Sequence, residues 1–300
     1  MSEVTVVNVF ASAEGGGNPT PIVADASAYD EARMLELTRR YGLESSFVFP
    51  PTHPAEADFR FRFFVPRQEM NMCGHATVGT LWLLRKTGRL TGTQARIETG
   101  SGLVRGFVQE AGTPGEYVEI TQPAGRSEEI SSREARRAIL DVLGITEVDL
   151  APLPISNAVT SRMKTLVPLK SPEILAALRP DFSRMEGLCA SLASTGLYPF
   201  AVRSLADRVF DARQFPNASG FPEDAATGVG ATALAFGLLA HGVIPLDGER
   251  ITVQQGRAMG RPSEIFVRFD LPEGGARPQG CFLGGRAALA GGSGEDGPGN

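Results

Sequence analysis

Hydrophobic and polar positions alternate most clearly at Asp58-Phe59-Arg60-Phe61-Arg62-Phe63-Phe64-Val65. Phe59, Phe61, Phe63 and Val65 fall on one face and Arg60 and Arg62 on the other, the period of a strand with one buried side. Shorter apolar runs bounded by Gly and Pro predict further strands at 4–10, 21–24, 47–49, 94–98, 102–110 and 117–122. In the second half the same signals fall at 197–204, 209–215, 250–255, 264–269 and 279–283. Helical spacing predicts a segment over 29–41, with Asp30 as N-cap and Gly42 as the stop, and another over 76–86 that ends near Gly88. Ser131-Ser132-Arg133-Glu134 reads as a capping box for a helix ending near Gly144, and Ser171-Pro172-Glu173 opens one that ends before Pro180. A last helix runs to about His241.

Two of these helices begin alike. Met72-Cys73-Gly74-His75-Ala76-Thr77-Val78-Gly79 leads into Thr80-Leu81-Trp82-Leu83-Leu84, and Glu223-Asp224-Ala225-Ala226-Thr227-Gly228-Val229-Gly230 leads into Ala231-Thr232-Ala233-Leu234-Ala235-Phe236, at an offset of 152 to 154. Strand-rich segments with one prominent helix in each half predict a duplicated α+β unit, because a doubly wound parallel sheet would alternate strand and helix strictly. The domain reading is 1–115 and 116–278, with a strand near 279–288 completing the first domain and 289–300 a disordered tail rich in Gly and Ser. Glu14-Gly15-Gly16-Gly17-Asn18-Pro19 reads as a turn, since no Gly-Lys-Ser/Thr follows to make it a phosphate loop.

Charge and cysteines narrow the class. With 29 Lys and Arg against 34 Asp and Glu, and no basic run interleaved with aromatics, nucleic acid is not an expected partner. No apolar run reaches membrane-spanning length and no leader pattern is visible, so neither a membrane nor an export route is expected and the cytoplasm is. Cys73, Cys189 and Cys281 are odd in number and widely spaced, which argues against a disulfide framework. With neither HExxH nor paired CxxC spacing, no metal site is expected.

The chemistry-bearing residues cluster at the two helix starts. Unpaired N–H groups and the positive end of the helix dipole suit a substrate carboxylate. His75 at such a start is favoured as a neutral ring that hydrogen-bonds substrate, or is simply a cap. Asp224 is open to the same two readings, and Glu44 alone is an ordinary surface carboxylate. Cys73 is sharper, because a thiol at a helix N-terminus beside a histidine is where a thiolate is stabilised. A two-cysteine racemase would need a second thiol at Ala225 or Ala226, and neither Cys189, inside a predicted helix, nor Cys281, in a late strand, fills that place.

In order and spacing, Val7-Asn8-Val9-Phe10, Gly17-Asn18-Pro19, Glu44 before Phe47-Val48, Gly74-His75-Ala76-Thr77-Val78-Gly79-Thr80, Glu223-Asp224-Ala225-Ala226-Thr227-Gly228, Gln255-Gly256-Arg257-Ala258-Met259-Gly260-Arg261-Pro262-Ser263 and Gly284-Gly285 resemble the PhzF-like isomerase family. That resemblance, over nearly the whole chain, implies the diaminopimelate epimerase fold, two similar domains with a cleft between them, a homodimer, and a cofactor-independent isomerase acting on a small unsaturated or cyclic carboxylate. It implies Glu44 as the proton shuttle, His75 and Asp224 as orienting groups, and substrate contacts from Asn18, Cys73, Gly74, Thr227, Gly228 and Val229. Moving a proton at neutral pH asks for a water-poor site, which domain closure would supply. The family usually has a small apolar residue at the place of Cys73, Ser at that of Val229, and Pro at those of Ala76 and Ala225. Two other expectations stand beside the isomerase: an amino-acid or hydroxy-acid racemase with Cys73 as one base, and a non-catalytic binder of small carboxylates.

Overall fold

A computed structural model describes residues 3–217, 221–272, 274–275 and 277–291. The chain divides into two compact units, residues 1–118 with 286–300, and residues 119–285. No helix among the described residues is long and apolar enough to cross a membrane.

In the first unit the elements run β1 (Val4–Val9), β2 (Asn18–Val23), α1 (Glu31–Tyr41), β3 (Ser45–Phe49), β4 (Phe59–Val65), β5 (Gln68–Met70), α2 (Gly74–Lys86), β6 (Gln94–Thr99) and β7 (Gly102–Gln109). The second contains β8 (Tyr117–Pro123, with its first two residues before the boundary), β9 (Arg126–Glu129), α3 (Arg133–Leu143), β10 (Ser156–Val159), β11 (Met163–Leu169), α4 (Pro172–Ala177), α5 (Met185–Ser191), β12 (Gly196–Ser204), β13 (Val209–Ala212), β14 (Phe215–Pro216), α6 (Gly228–Ala240), β15 (Ile251–Gln255), β16 (Ser263–Asp270) and β17 (Gly280–Gly285). A last strand, β18 (Ala287–Leu289), returns to the first unit. The architecture is mixed α/β, with few helices and a large curved sheet.

The two units repeat one topology. In the first, β18-β1-β2-β3-β4-β6-β7 pair in the sequence antiparallel, antiparallel, parallel, antiparallel, parallel, antiparallel. In the second, β9-β10-β11-β12-β13-β15-β16 pair in that same sequence. The second parallel crossover carries α2 in one unit and α6 in the other. Both helices are thirteen residues long, and their starts lie 154 apart (228 minus 74).

Nearly every side of α2 is buried, because β1, β2, β3 and β7 surround it. This explains why small and apolar residues occupy every side of its middle turns instead of one apolar stripe. A Cβ on Gly79 would sit 2.6 Å from Val9 Cγ2 and 3.2 Å from Thr20 Cγ2. Gly79→Ala is therefore expected to lower stability by about 1–3 kcal/mol through overpacking, measured by denaturant unfolding; an unchanged midpoint would show that the helix can shift. On the other side of the first sheet Met34 and Leu37 of α1 pack on Phe47, Phe49 and Phe64. The corresponding layer of the second unit joins α3, α4 and α5 to Val167, Leu169, Leu197 and Phe215.

Local signals held at several ends. Asp30 accepts from Arg33 N–H and Gly42 closes α1 in the left-handed region. Ser171 caps α4 with Pro172 at its start. The capping box at Ser131 does not form: Ser132 is the N-cap and accepts from Ala135, which puts Glu134 one position early for the reciprocal bond. Of the segment 279–288, β17 pairs with β16 in the second unit, and only β18 joins β1. The tail reading began too early, since Leu289 pairs with Val7 and Ala290 donates to Val6 O at 3.0 Å; residues 292–300 lie outside the described residues.

Candidate active site

Glu44 owes its place to three local devices. Gly42 ends α1, with its N–H on Thr38 O. Thr20 Oγ1 donates to Glu44 O at 2.7 Å. Two residues on, Ser46 Oγ lies 2.8 Å from Thr80 Oγ1, which pins the start of β3 to α2 nearly two turns beyond its N-terminus. The Glu44 side chain therefore reaches the helix start while 41% of it stays exposed.

At that helix start Cys73 is the N-cap and makes no side-chain cap bond. Its Sγ lies instead 3.5 Å from Glu44 Oε2 and 3.4 Å from His75 Nδ1. His75 Nδ1 is 3.4 Å from Glu44 Oε2. Cys73 and His75 are each 7% exposed, and among the described residues the buried His75 Nε2 has no hydrogen-bond partner. Gly74 opens the helix between them, its backbone in the first turn where N–H groups face outward. Asn18 is the first residue of β2, opposite Val9, two positions before the Thr20 that holds Glu44. Structure thus brings Glu44, Cys73, Gly74 and His75 together from positions that the sequence keeps 29 residues apart.

The second unit builds its own cluster before α6. Asp224 is not at the helix start, as expected, but three residues ahead of the N-cap Thr227, in a backbone bridge with Gln214. The Thr227 hydroxyl donates to the Asp224 carboxylate instead of capping the helix. Gln255 then straps the loop down: its Nε2 donates to Asp224 O at 2.7 Å and Thr227 Oγ1 at 3.1 Å, while its Oε1 accepts from Thr227 N–H at 3.3 Å and from Tyr198 OH at 2.9 Å. Gly256 follows with φ +78°, and a Cβ there would lie 2.2 Å from Arg261 O and 2.7 Å from Ala225 O, so no other residue fits beneath this loop. Gly228 and Val229 form the first turn of α6.

Glu223 and Asp224, alike in the sequence, separate here. Glu223 takes a two-pronged contact from Arg213, Nε at 2.8 Å and Nη2 at 2.7 Å, and Arg213 Nη1 also donates to Leu175 O and Leu178 O at 3.1 Å each. This is an anchor between β14's approach and the outer helices. Both side chains are almost fully buried, 10% and 11% exposed, so Glu223→Gln is expected to cost about 2 kcal/mol in an unfolding titration; a change under about 0.5 kcal/mol would contradict that role.

Four buried titratable groups lie in the second unit. Tyr198, fully buried, has its phenol held well above the ordinary value by burial and then by the charge of Asp224. Burial brings Lys164 down to about 8, against the opposing pull of Asp224. Cys189 is pushed up to about 11 by burial and Cys281 is raised further by the same cause, so neither is a ready thiolate. Lys164 escaped the sequence reading because a strand lysine ordinarily faces water; its neighbour Leu166, two positions on and so on the same face, packs against the place of Gly237 in α6. Gln255 was visible only as part of a resemblance.

The uncharacterized isomerase YddE of Escherichia coli O157:H7 is 31% identical to this chain over 291 residues, 96% of each chain. The trans-2,3-dihydro-3-hydroxyanthranilate isomerase of Pseudomonas aeruginosa is 31% identical over 272 residues, 90% of this chain and 91% of that one. Among solved structures, a phenazine biosynthesis protein of the PhzF family from Bacillus anthracis superposes with a TM-score of 0.84 at 24% identity, over 95% of this chain and 96% of that one. Residues 7–291 match the family described as phenazine biosynthesis-like protein, PhzC-PhzF, and the chain belongs to that family of isomerases.

Proposed function

We propose that this chain is a proton-moving isomerase of the diaminopimelate epimerase fold, acting on a small unsaturated or cyclic carboxylate, with Glu44 as general acid and base. The observation that carries the reading is the convergence of Glu44 on His75 at the start of α2, with the carboxylate side chain still 41% exposed. A group that takes a proton from one carbon and returns it to another must touch the substrate and be oriented by a fixed neighbour; His75 supplies the second condition. The outward N–H groups near Gly74 in one unit, and near Gly228 and Val229 in the other, suit carboxylate oxygens. Asp224, fixed by Thr227 and Gln255, is assigned the orientation of the substrate's polar groups, and Lys164 beside it adds positive charge suited to an anion. Asn18 and Cys73 complete the proposed contacts, and a homodimer in the cytoplasm is the working assembly and location proposed.

The P. aeruginosa relative's name supplies the first substrate to try. Incubated with trans-2,3-dihydro-3-hydroxyanthranilate in D2O, the protein is expected to give a product with a shifted double bond and one solvent-derived deuterium, read by NMR. An unchanged compound would remove this substrate.

A second reading is favoured by one contact, the 3.5 Å between Cys73 Sγ and the Glu44 carboxylate. In a racemase the thiol would be one base and a non-cysteine group the other. Loss of optical rotation from an amino or hydroxy acid, abolished by Cys73→Ala, would establish it; indifference to that substitution would remove it.

A further inference from the structure

The Cys73 sulfur lies in hydrogen-bond range of both the Glu44 carboxylate and His75 Nδ1, and the third edge of this triangle, nitrogen to oxygen, is just as short. Its edges are 3.5 Å from sulfur to oxygen, 3.4 Å from sulfur to nitrogen and 3.4 Å from nitrogen to oxygen. A proton on any corner can point at only one neighbour, and the nitrogen–oxygen edge exceeds the range of an N–H···O bond. One face of a metal tetrahedron has these edges. Zinc bonds of about 2.3 Å to sulfur and about 2.0–2.1 Å to nitrogen and oxygen, set at tetrahedral angles, leave about 3.3 Å between nitrogen and oxygen and about 3.5 Å between sulfur and either.

The geometry points to Glu44, Cys73 and His75 as a three-ligand site for zinc or a similar thiophilic divalent cation, with the fourth corner open to water or a carboxylate. The ligating atoms all lie within 4.8 Å of one another, and thiolate and carboxylate together balance a dication. Cys73 and His75 are buried while Glu44 remains partly exposed, so the soft ligands are shielded and the third gives access. With Nε2 carrying the ring proton, His75 Nδ1 offers its lone pair to the triangle. No metal-binding pattern is visible in the sequence because the ligands come from a loop after α1 and from both sides of Gly74, a spacing unlike HExxH or CxxC. On binding, the Cys73 thiol releases its proton to solvent and the cation occupies the Glu44 carboxylate. If the proposed isomerase reading holds, the metal-bound form is inactive; the site itself does not rest on that reading.

The full-length protein, reduced and stripped with a chelator, is titrated with zinc chloride by calorimetry and with cobalt chloride by absorption. One equivalent is expected to bind, with a thiolate-to-cobalt charge-transfer band and the intense visible bands of tetrahedral cobalt. Cys73→Ala should erase the charge-transfer band. Loss of a ligand should weaken zinc by at least about a hundredfold, the upper end of what outer partners cost. Glu44→Gln should weaken zinc while keeping the band, and circular dichroism checks that both variants are folded. No stoichiometric binding, a six-coordinate cobalt spectrum without a thiolate band, or the same zinc affinity in folded Cys73→Ala would overturn the inference. Binding is read without turnover, so an active isomerase that binds no zinc sinks only this site, and a zinc-binding protein inactive when metal-free sinks only the isomerase reading.

Discussion

Glu44→Gln is expected to lower turnover by about 10²–10⁴-fold, the usual contribution of a positioned proton carrier, while leaving the unfolding midpoint nearly unchanged. The contact that fixes this residue to the fold runs through its backbone, from Thr20 Oγ1 to Glu44 O, and survives the substitution. The side chain is 41% exposed and, among the described residues, makes its near polar contacts with Cys73 and His75, so a stability change beyond about 0.5 kcal/mol is not expected. Glutamine keeps the shape and can still accept a hydrogen bond, but it cannot hold a proton for transfer. A variant that retained full turnover would remove Glu44 from the proposed chemistry, and one that lost activity together with its fold would show the side chain to be structural.

Lys164→Met is expected to raise stability, by about 3 kcal/mol below pH 8. Lys164 is 5% exposed, and burial lowers its amine from 10.5 to about 8. At neutral pH the folded chain therefore carries an ammonium in a place that disfavours charge, while the unfolded chain solvates it freely. Because the folded value is the lower one, the unfolded chain binds the extra proton between about pH 8 and 10.5, so stability rises with pH across that window. The full cost is present below pH 8, and the difference between the two values converts to about 3 kcal/mol. Methionine has a similar reach without the charge. Denaturant titrations of both proteins from pH 7 to 10.5 should start apart and converge; parallel curves, or a less stable variant, would contradict this account. Activity should fall as stability rises, because the proposed anion site loses its cation.

Much of the framework was readable because its signals are local. Asp30 and Gly42 marked both ends of α1, the phenylalanine alternation marked β4, and the polar starts at Gly74 and Gly228 marked the two central helices. The strand Met163–Leu169 escaped notice because Lys164 and Pro168 interrupt its apolar run, and proline argues against a paired strand. In the structure both are accommodated, the lysine buried and the proline paired in parallel with Phe200. The site was legible in part. A motif could suggest His75 and Asp224, but only the fold brings Glu44 to Cys73 across 29 residues, and only the Arg213 contact separates Glu223 from Asp224. Cys73 looked out of place beside a resemblance built on Glu44, and the tetrahedral spacing of three side chains now gives it a testable occupation.

The most direct test of the central claim is solvent isotope exchange followed by mass spectrometry, with metal-free protein in D2O and a panel of unsaturated, amino and hydroxy carboxylates. Wild-type protein is expected to place deuterium on carbon in at least one compound, and Glu44→Gln to place none. Exchange that persists in Glu44→Gln and vanishes in Cys73→Ala would contradict the account and assign the proton to the thiol.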